Sequence, residues 1–454
     1  MRTFSPRPRN GSTVNTAATC SALIALTAAL CLPLQAANVS YTFIKVATLG
    51  DAAPPGSFHV NDFETGSITN SGDIIYATDL LGTRTDPTLF LGEGVYLRFK
   101  SGQTLELARS TGDAPGGGKF DVLLLGQTQL NDQGDGAFAF TLQPFDFNAS
   151  PFGLNSGVYR YSHISGTVRP IVRPFITPAP GGGTFAGAGF NTSLNNRGDL
   201  VFTGIVPGHT GLGFGVFMAD KQDRITSIVQ PGDAAPGGGA FDGAGNAPWI
   251  NQVGDVAFVA HVAGEESGLS SLYLKDSRTG AILSIAHAGD PAPGGGVFRS
   301  AYSPVMNDSG DLIFQGDLSS PPNFFQAQGI YLYSRGKIVA VARPGDSMPG
   351  GGKFVSAASF PNALHINNPG EIVFGASLDT SETGIYVASH GSVRLVARTG
   401  TVIPGVGTVS QVVTGGAFVP GNVPNTEVAN NERGQVVFAA TLTGGSGVLL
   451  LATP

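Results

Sequence analysis

The stretch IAHAGDPAPGGGVFRSAYSPVMNDSGDLIFQGDL, residues 285–318, contains the unit that the rest of the chain repeats. An apolar run ends in Gly-Asp, a Pro-Gly-Gly-Gly-x-Phe crossing follows, and a second run ends in Asn-x-x-Gly-Asp before a further apolar run. The unit occurs seven times. Its turn glycine recurs at spacings of 56 to 64 residues, at Gly72, Gly134, Gly198, Gly254, Gly310, Gly370 and Gly434. A long period of this kind is typical of repeat architectures, in which recurring residues mark scaffold.

Each unit supplies four strands joined by short turns, which predicts an antiparallel meander. After the turn come a second strand such as DLIFQGDL, a third such as GIYLYS and a fourth such as IVAVAR. Seven meanders predict an all-β fold, a seven-bladed β-propeller over residues 38–454. The last unit stops after its third strand at Leu451 and so lacks a fourth strand. Residues 38–50 resemble the fourth strand of a unit but have no first three strands before them. We therefore expect the two terminal strands to pair and close the ring.

The composition supports this fold class. The 454 residues include 66 glycines and 30 prolines, and only 13% are charged. Many turn residues between short Val, Ile and Phe runs are typical of an all-β protein.

Residues 1–37 resemble a secretory signal peptide. Arg2, Arg7 and Arg9 precede an apolar core from Ala22 to Leu34, and small residues follow it at 36 and 37. The alternative is a membrane anchor, but the core is about 13 residues long and a spanning helix needs about 20. Both cysteines of the chain lie in this segment, and neither follows a small residue as a lipoprotein signal requires. We expect export to the periplasm or outside the cell, without a lipid anchor.

The remaining chain carries no cysteine, which excludes thiolate metal sites and cysteine nucleophiles. It has 22 basic residues (25 less the three arginines of the first 37) and 32 acidic residues, a net charge of −10. Such a surface repels nucleic acid. The glycine triplets lack the Gly-Lys-Ser/Thr of a phosphate loop, so we expect no cofactor. We also expect a monomer without membrane contact after signal cleavage.

The repeated positions have a structural interpretation. The turn asparagine can cap backbone amides, and the turn glycine can adopt a left-handed conformation. The phenylalanine of each crossing is expected to fill the gap between blades. It recurs as Phe58, Phe120, Phe185, Phe241, Phe298 and Phe354.

An arginine precedes four of the Gly-Asp turns, or their equivalents. These residues are Arg109, Arg173, Arg343 and Arg398. They predict either a ring for an anionic ligand or, as we favour, caps on carbonyl groups paired with turn aspartates such as Asp113 or Asp346. Turn carboxylates also raise the question of calcium, but the dense spacing of a calcium loop is missing. We expect no metal site.

The turn sequences NDQGDGAF at 131–138 and NQVGDVAF at 251–258 resemble a family of exported bacterial proteins with a tandem Asn-x-x-Gly-x-x-Ala-Phe repeat. The resemblance covers essentially the whole chain after residue 37. It implies an exported, propeller-like repeat protein and implies nothing about a ligand.

The connections between second and third strands differ among the units, and they are long in units one, two and five. We expect these loops to share one face with the crossings. Aromatic side chains on loops held by a rigid scaffold suit the binding of a glycan or a protein. The candidate ligand-binding residues are Phe145, Phe147, Phe152, Phe324 and Phe325. The alternative is that these rings form local loop cores.

An enzyme needs titratable groups close to the channel axis. The strand before each turn offers Ser67, Gln129, Ser193, Trp249 and Val305, with His365 and Glu427 as the residues able to carry a proton. We favour a non-catalytic binding or scaffold propeller. The alternative is a secreted hydrolase or lyase whose candidate catalytic residues are His365 and Glu427, at the channel mouth.

Overall fold

The computed structural model describes residues 39–454 except for 57, 61, 83–89, 124–127, 145–153, 208–212, 246, 267–268, 319–327, 358–363 and 413–427. The described residues form strands and turns in seven antiparallel sheets, without a helix. No helix able to cross a membrane occurs among them. The predicted seven-bladed β-propeller is confirmed.

The first three blades contain fifteen strands. Blade 1 comprises β2 (Ala52–Ala53), β3 (Phe58–Val60), β4 (Glu64–Ile68), β5 (Ile74–Leu81), β6 (Phe90–Arg98) and β7 (Thr104–Arg109). Blade 2 comprises β8 (Phe120–Leu123), β9 (Gln129–Leu130), β10 (Gly136–Leu142), β11 (Ser156–Ser162) and β12 (Thr167–Val172). Blade 3 comprises β13 (Gly187–Leu194), β14 (Leu200–Ile205), β15 (Phe214–Ala219) and β16 (Ile225–Val229).

The other four blades continue the pattern. Blade 4 comprises β17 (Phe241–Ala244), β18 (Trp249–Ile250), β19 (Val256–Val262), β20 (Ser271–Lys275) and β21 (Ile282–Ala286). Blade 5 comprises β22 (Phe298–Met306), β23 (Leu312–Leu318), β24 (Gln328–Ser334) and β25 (Lys337–Ala342). Blade 6 comprises β26 (Phe354–Ala357), β27 (Leu364–Ile366), β28 (Ile372–Leu378), β29 (Thr383–Ser389) and β30 (Ser392–Arg398). Blade 7 comprises β31 (Val402–Ile403), β32 (Gly407–Gln411), β33 (Val428–Asn430), β34 (Val436–Leu442), β35 (Gly447–Thr453) and the N-terminal strand β1 (Thr42–Thr48).

The terminal strands close the ring. Strand β1 pairs antiparallel with β35 from Thr42 opposite Thr453 to Thr48 opposite Val448. The Leu49 N–H then donates to the Gly447 carbonyl oxygen at 2.9 Å. The predicted closure is confirmed, and it makes the N-terminal strand the outer strand of the last blade.

The connections separate onto two faces. Turns between third and fourth strands lie beside the Asn-x-x-Gly turns, as the Lys100 N–H shows by donating to Asp73 Oδ1 at 2.7 Å. We call this side the turn face. Loops between second and third strands lie beside the crossings, since the Gln143 N–H donates to the Lys119 carbonyl at 2.9 Å. This second side, the crossing face, is the one predicted for the variable loops.

The crossing phenylalanines form aromatic groups inside their own blades. The Phe120 ring centroid lies 4.9 Å from those of both Phe140 and Tyr159. Blades 3, 4 and 5 repeat the arrangement. The apolar cluster around Phe120 also includes Ile75 and Val95 of the preceding blade. Phe120 therefore packs in an apolar cluster shared by two blades, as predicted. Its contacts with other aromatic rings stay within its own blade.

Three of the four repeated arginines cap glycine carbonyls of the crossings, whereas Arg109 lies 3.2 Å from Glu106 Oε1 with its guanidinium over the Phe58 ring. The Arg173 guanidinium donates to the carbonyl oxygens of Gly116 and Gly117, the latter at 2.7 Å. Arg343 and Arg398 make equivalent contacts in blades 5 and 6. Capping is therefore confirmed, and these guanidinium groups are bound to the scaffold.

The expected pairing of these arginines with turn aspartates is wrong. The Asp113 carboxylate lies 2.9 Å from Lys119 Nζ. The Asp346 carboxylate accepts the backbone N–H of Arg343 at 2.7 Å, so it closes the turn rather than binding the guanidinium. An aspartate next to a turn N–H group accepts a hydrogen bond from it without having to order a long arginine side chain.

Two crossings hold a residue with a side chain in a glycine conformation, Thr111 (φ +65°) and the bulkier Phe175. Phe175 has φ +60° and donates its N–H to Phe185, while Gly232, Gly289 and Gly345 occupy the same slot in other blades with φ near +95°. A left-handed conformation costs about 1–2 kcal/mol for a residue with a Cβ, and the Phe175 side chain is 60% exposed.

We expect Phe175→Gly to raise the free energy of unfolding by about 1 kcal/mol in urea denaturation, because it removes this strain. Phe175→Ala is the matched control. It removes the same exposed ring but keeps a Cβ at positive φ, so little stabilisation is expected. Equal stabilisation by both variants would show that the ring, and not the backbone, is unfavourable.

Candidate functional site

Residues at the ends of the first strands and in the Asn-x-x-Gly turns of all seven blades line a central cavity of about 170 Å³ at the turn face. Its wall has three tiers, counted from the start of each Asn-x-x-Gly turn. The inner tier lies two residues before the turn, the middle tier one residue before it, and the mouth tier at its second residue. The mouth tier consists of Asn70, Asp132, Asn196, Gln252, Asp308, Asn368 and Glu432.

The first residue of each turn, between the middle and mouth tiers, joins one blade to the next. Asn131 Oδ1 accepts the N–H groups of Gln133 and Asp135, and its Nδ2 donates to the Asn195 carbonyl of blade 3 at 3.0 Å. The same donation recurs from Asn195, Asn251, Asn307, Asn367 and Asn431. Blade 1 has Thr69 at this position, which carries no amide, so the junction from blade 1 to blade 2 lacks the bond. The predicted capping role of the asparagine is confirmed, and the link between blades adds to it.

The mouth tier forms a closed hydrogen-bonded ring. Each of its side chains accepts the backbone N–H of the equivalent residue in the preceding blade, at 2.7–2.9 Å, around all seven junctions. Three members are carboxylates: Asp132, Asp308 and Glu432. Glu432 Oε2 makes the ring bond, whereas no described residue donates to its Oε1. The ring therefore stabilises the fold and leaves one acceptor open to the cavity.

The inner tier is crossed by the indole of Trp249. Its Nε1 donates to the Met306 carbonyl of blade 5 at 2.8 Å, and its ring centroid lies 5.5 Å from that of His365 in blade 6. Trp249 is only 8% exposed. A single side chain from blade 4 thus spans two further blades and brings an aromatic wall into the channel.

His365 is held in one orientation. Its Nδ1 lies 2.6 Å from Asn430 Oδ1, and the Asn430 Nδ2 donates to the Glu371 carbonyl. Because Oδ1 only accepts, the Nδ1 atom carries the proton. No described residue bonds to Nε2, which leaves its lone pair free in a cavity-lining residue.

The cavity is electronegative. Burial lowers the pKa of His365, and the Asn430 bond only partly opposes this, so the ring is neutral at pH 7. Partial burial raises the pKa of Glu432; the Asn368 amide lowers it, and the Asp308 and Asp132 carboxylates raise it further. The described wall contains no lysine or arginine.

Most of the residues expected on the innermost strands do line the cavity. Ser67, Gln129, Ser193, Trp249 and His365 line the cavity. In blade 5 the lining residue is Met306, while Val305 is fully buried. In blade 7 the equivalent position is Ala429, and Asn430 lines the wall. Glu427 lies outside the described residues, and the carboxylate that the sequence interpretation missed is Glu432.

Phe145, Phe147, Phe152, Phe324 and Phe325 lie outside the described residues. Across the described part of the chain, no group of three or more His, Asp or Glu side chains is arranged to hold a metal ion.

Solved structures with a similar fold include three proteins of different activity. The β-propeller domain of the Trilobed protease from Pyrococcus furiosus is 8% identical, with a TM-score of 0.46 over 87% of this chain and 94% of that one. The polysaccharide lyase Uly1 is 7% identical, with a TM-score of 0.46 over 88% and 90%. The Pyrococcus horikoshii acylaminoacyl peptidase is 11% identical, with a TM-score of 0.45 over 86% of this chain and 51% of that one. These likenesses concern the fold.

The chain matches none of the curated protein sequences. A model described as a family of unknown function, DUF7453, matches residues 27–452. Since this match spans nearly the whole sequence, the protein belongs to the DUF7453 family.

Proposed function

We propose that the protein is an exported, non-catalytic binding propeller that takes a small neutral or cationic ligand into its channel cavity. The observation that carries this proposal is the wall around Trp249. An indole, the free Nε2 of His365 and the free Oε1 of Glu432 belong to one cavity, while most of the mouth tier is engaged in the ring. An aromatic surface with a few polar groups is typical of small-molecule sites.

The size of the cavity limits the ligand. Its volume is about 170 Å³. A polyol, the end unit of a glycan or a small alkylammonium ion is of this order. A folded partner protein would be restricted to the rim.

The charge of the wall favours cations over anions. Three carboxylates and a neutral histidine face the cavity without a described basic residue. An ammonium group near the indole would gain cation–π attraction in addition to the carboxylate field. A phosphate or carboxylate ligand would be repelled.

Export rests on the signal-like residues 1–37, and membership of the tandem Asn-x-x-Gly-x-x-Ala-Phe repeat family rests on the seven turns. Both are part of the proposal. The aromatics of the long connections, among them Phe324 and Phe325, are proposed as a second contact surface for a longer glycan or a protein.

The second candidate function is hydrolysis or lyase chemistry at the channel mouth. One observation favours it: a neutral His365 with a free Nε2 is suited to act as a general base. Its partner would be Glu432 or the predicted Glu427.

The chain contains a single tryptophan, and it lies at the cavity. The emission of Trp249 therefore reports occupancy directly. We would titrate the protein with polyols, monosaccharides and alkylammonium ions, with acetate and phosphate as anion controls. Neutral or cationic ligands are expected to change the emission saturably. Glu432→Gln is expected to weaken alkylammonium binding about tenfold, because it removes a charge but keeps the ring acceptor.

Asp113→Asn is the matched control, since it removes a carboxylate whose side chain is 92% exposed on the crossing face. Its titrations should equal those of the unchanged protein. Saturable binding of the anions, or no response to any member of the panel, would refute the channel site. Turnover of ester, glycoside or uronate substrates that His365→Ala abolishes, and Phe324→Ala with Phe325→Ala does not, would favour the enzyme.

A further inference from the structure

The loop that joins the second and third strands of blade 4 bridges to blade 5. This blade-4 loop comprises residues 263–270, of which 267–268 lie outside the described part. Its Ser270 carbonyl accepts the N–H of Ala301 at 2.9 Å, and its Glu266 carboxylate lies 3.8 Å from the Arg299 guanidinium. The loop therefore covers the seam between the two blades on the crossing face.

His261, at the end of β19, lies between two acceptors. Its Nδ1 is 2.7 Å from Asp242 Oδ1 on the first strand, and its Nε2 is 3.1 Å from the Glu266 carbonyl oxygen in the loop. A neutral imidazole has one N–H and can satisfy only one of them. The other nitrogen would then direct its lone pair at an oxygen lone pair. Only the imidazolium donates to both.

A second histidine repeats this arrangement from the other side of the loop. His287 Nε2 lies 2.7 Å from Glu265 Oε1, and His287 Nδ1 lies 3.1 Å from the Ala288 carbonyl oxygen. The loop thus has a histidine contact at each of two consecutive glutamates. The Glu266 carbonyl also accepts the N–H of Leu269 at 3.3 Å, which links the histidine contact to the shape of the loop.

We propose that His261 is a pH-sensitive latch, which in its charged form fastens the blade-4 loop over the seam between blades 4 and 5 and in its neutral form releases it. The neutral ring keeps its proton on Nδ1, because the Asp242 carboxylate is a stronger acceptor than the Glu266 carbonyl. Deprotonation therefore occurs at Nε2 and breaks the hydrogen bond from the His261 ring to the loop. Binding on the crossing face next to this seam would then depend on pH independently of the channel cavity.

The charges around the latch support a charged ring. They are carboxylates from the first strand, the loop and the crossing, with one guanidinium from blade 5: Asp242, Glu265, Glu266, Asp290 and Arg299. Burial disfavours the charged form, but the Asp242 carboxylate and the Glu266 carbonyl outweigh it and raise the pKa of His261.

The direction of the pH effect follows from that rise. A base whose pKa is raised by folding stabilises the folded arrangement below its unfolded pKa of about 6.5, and the stabilisation is lost as the pH rises through the folded pKa. The latch is therefore closed in acid and opens as the pH rises through the raised pKa of His261.

Hydrogen exchange of the chain from residue 38 tests the latch. After correction for the intrinsic exchange rate, protection of the Glu265 and Leu269 amides is expected to fall about tenfold between about pH 5.5 and about pH 8.5, because a charge-assisted bond is lost. These measurements use a His287→Gln background, because His287 binds Glu265 of the same loop. In that background His261→Gln leaves no histidine on the loop, so its protection should not change over this range. His163→Gln, an exposed histidine in a turn of blade 2, is the control and should behave like His287→Gln alone.

The ring itself provides a second measurement. The ¹³Cε1 resonance of His261 should titrate with a midpoint above that of a free histidine, and Asp242→Asn should lower it. Equal protection at both pH values, a pH change that persists in His261→Gln, or a midpoint that Asp242→Asn leaves unchanged would each overturn the proposal. The titration midpoint of His261 tests the proposal even if His261→Gln fails to fold.

Discussion

A chain that begins at residue 49 is expected to lose the folded propeller, whereas a chain that begins at residue 38 keeps it. The shorter chain lacks β1, which supplies the outer edge of blade 7 and packs Ala47 into the cluster that joins blades 7 and 1. Its absence exposes the β35 edge and opens the apolar seam beside it. Small domains are stable by only about 5–15 kcal/mol, and the loss is expected to be of similar size.

Circular dichroism with thermal denaturation measures the effect, and the chain from residue 38 is the control because it removes only the signal-like segment. The truncated chain should show no cooperative transition, and a peptide of residues 38–50 added in excess should restore part of it. A cooperative transition at the control temperature would show that β1 is an accessory strand and that the ring closes without it.

Substitution of an asparagine at the first position of a turn is expected to give the second large effect, a loss of stability. Asn307 is 4% exposed, donates to the Asn367 carbonyl at 3.2 Å and accepts the N–H groups of Ser309 and Asp311. Asn307→Ala removes all three hydrogen bonds, and each contributes about 0.5–1.5 kcal/mol. We expect a loss of about 2–4 kcal/mol in the free energy of unfolding, measured in urea.

The natural gap in the ring offers the reverse experiment. Thr69→Asn places an amide where blade 1 has none, within the same turn geometry. It is expected to add the missing bond to the Asn131 carbonyl and to stabilise the protein by about 1 kcal/mol. Destabilisation by Thr69→Asn together with a small effect of Asn307→Ala would show that the asparagines serve their own turns and not the contact between blades.

The fold was predictable because its determinants are local and repeated. Seven copies of the turn glycine fix the number of blades, and a strand without a unit at the start of the chain fixes the closure. Single copies would be ambiguous. Because the weak turn motif recurs seven times, it gives the number of blades. The apolar strands between the turns then favour a closed propeller, which buries their faces.

The site was only partly predictable, because its contacts join residues that the repeat keeps apart. The inner position can be found by counting back from each turn, and this identifies Trp249 and His365. In blade 7 the inner position is Ala429, two residues after the Glu427 that the sequence pattern suggests. Glu432 was overlooked because it stands inside a turn, where its role appears only when neighbouring turns are brought together.

The reach of Trp249 shows the same limit. Its indole contacts His365 across more than a hundred residues of sequence, through the centre of the ring. Nothing in the local pattern of either strand encodes that contact. It follows from the diameter of the closed ring, which depends on all seven blades together.

The pairing of the two terminal strands places the chain ends where a circular permutation could join them. In blade 5 the third and fourth strands are joined by Arg335 and Gly336, between the paired residues Ser334 and Lys337. Thr453 and Thr42 are paired at the matching end of blade 7, with no covalent link between them. A two-residue bridge there would make the backbone a continuous circle, and reopening it at residues 335–336 would make blade 5 the split blade. The propeller thus has no obligatory first blade, and circular permutation could move its ends to any junction without changing a single strand pair.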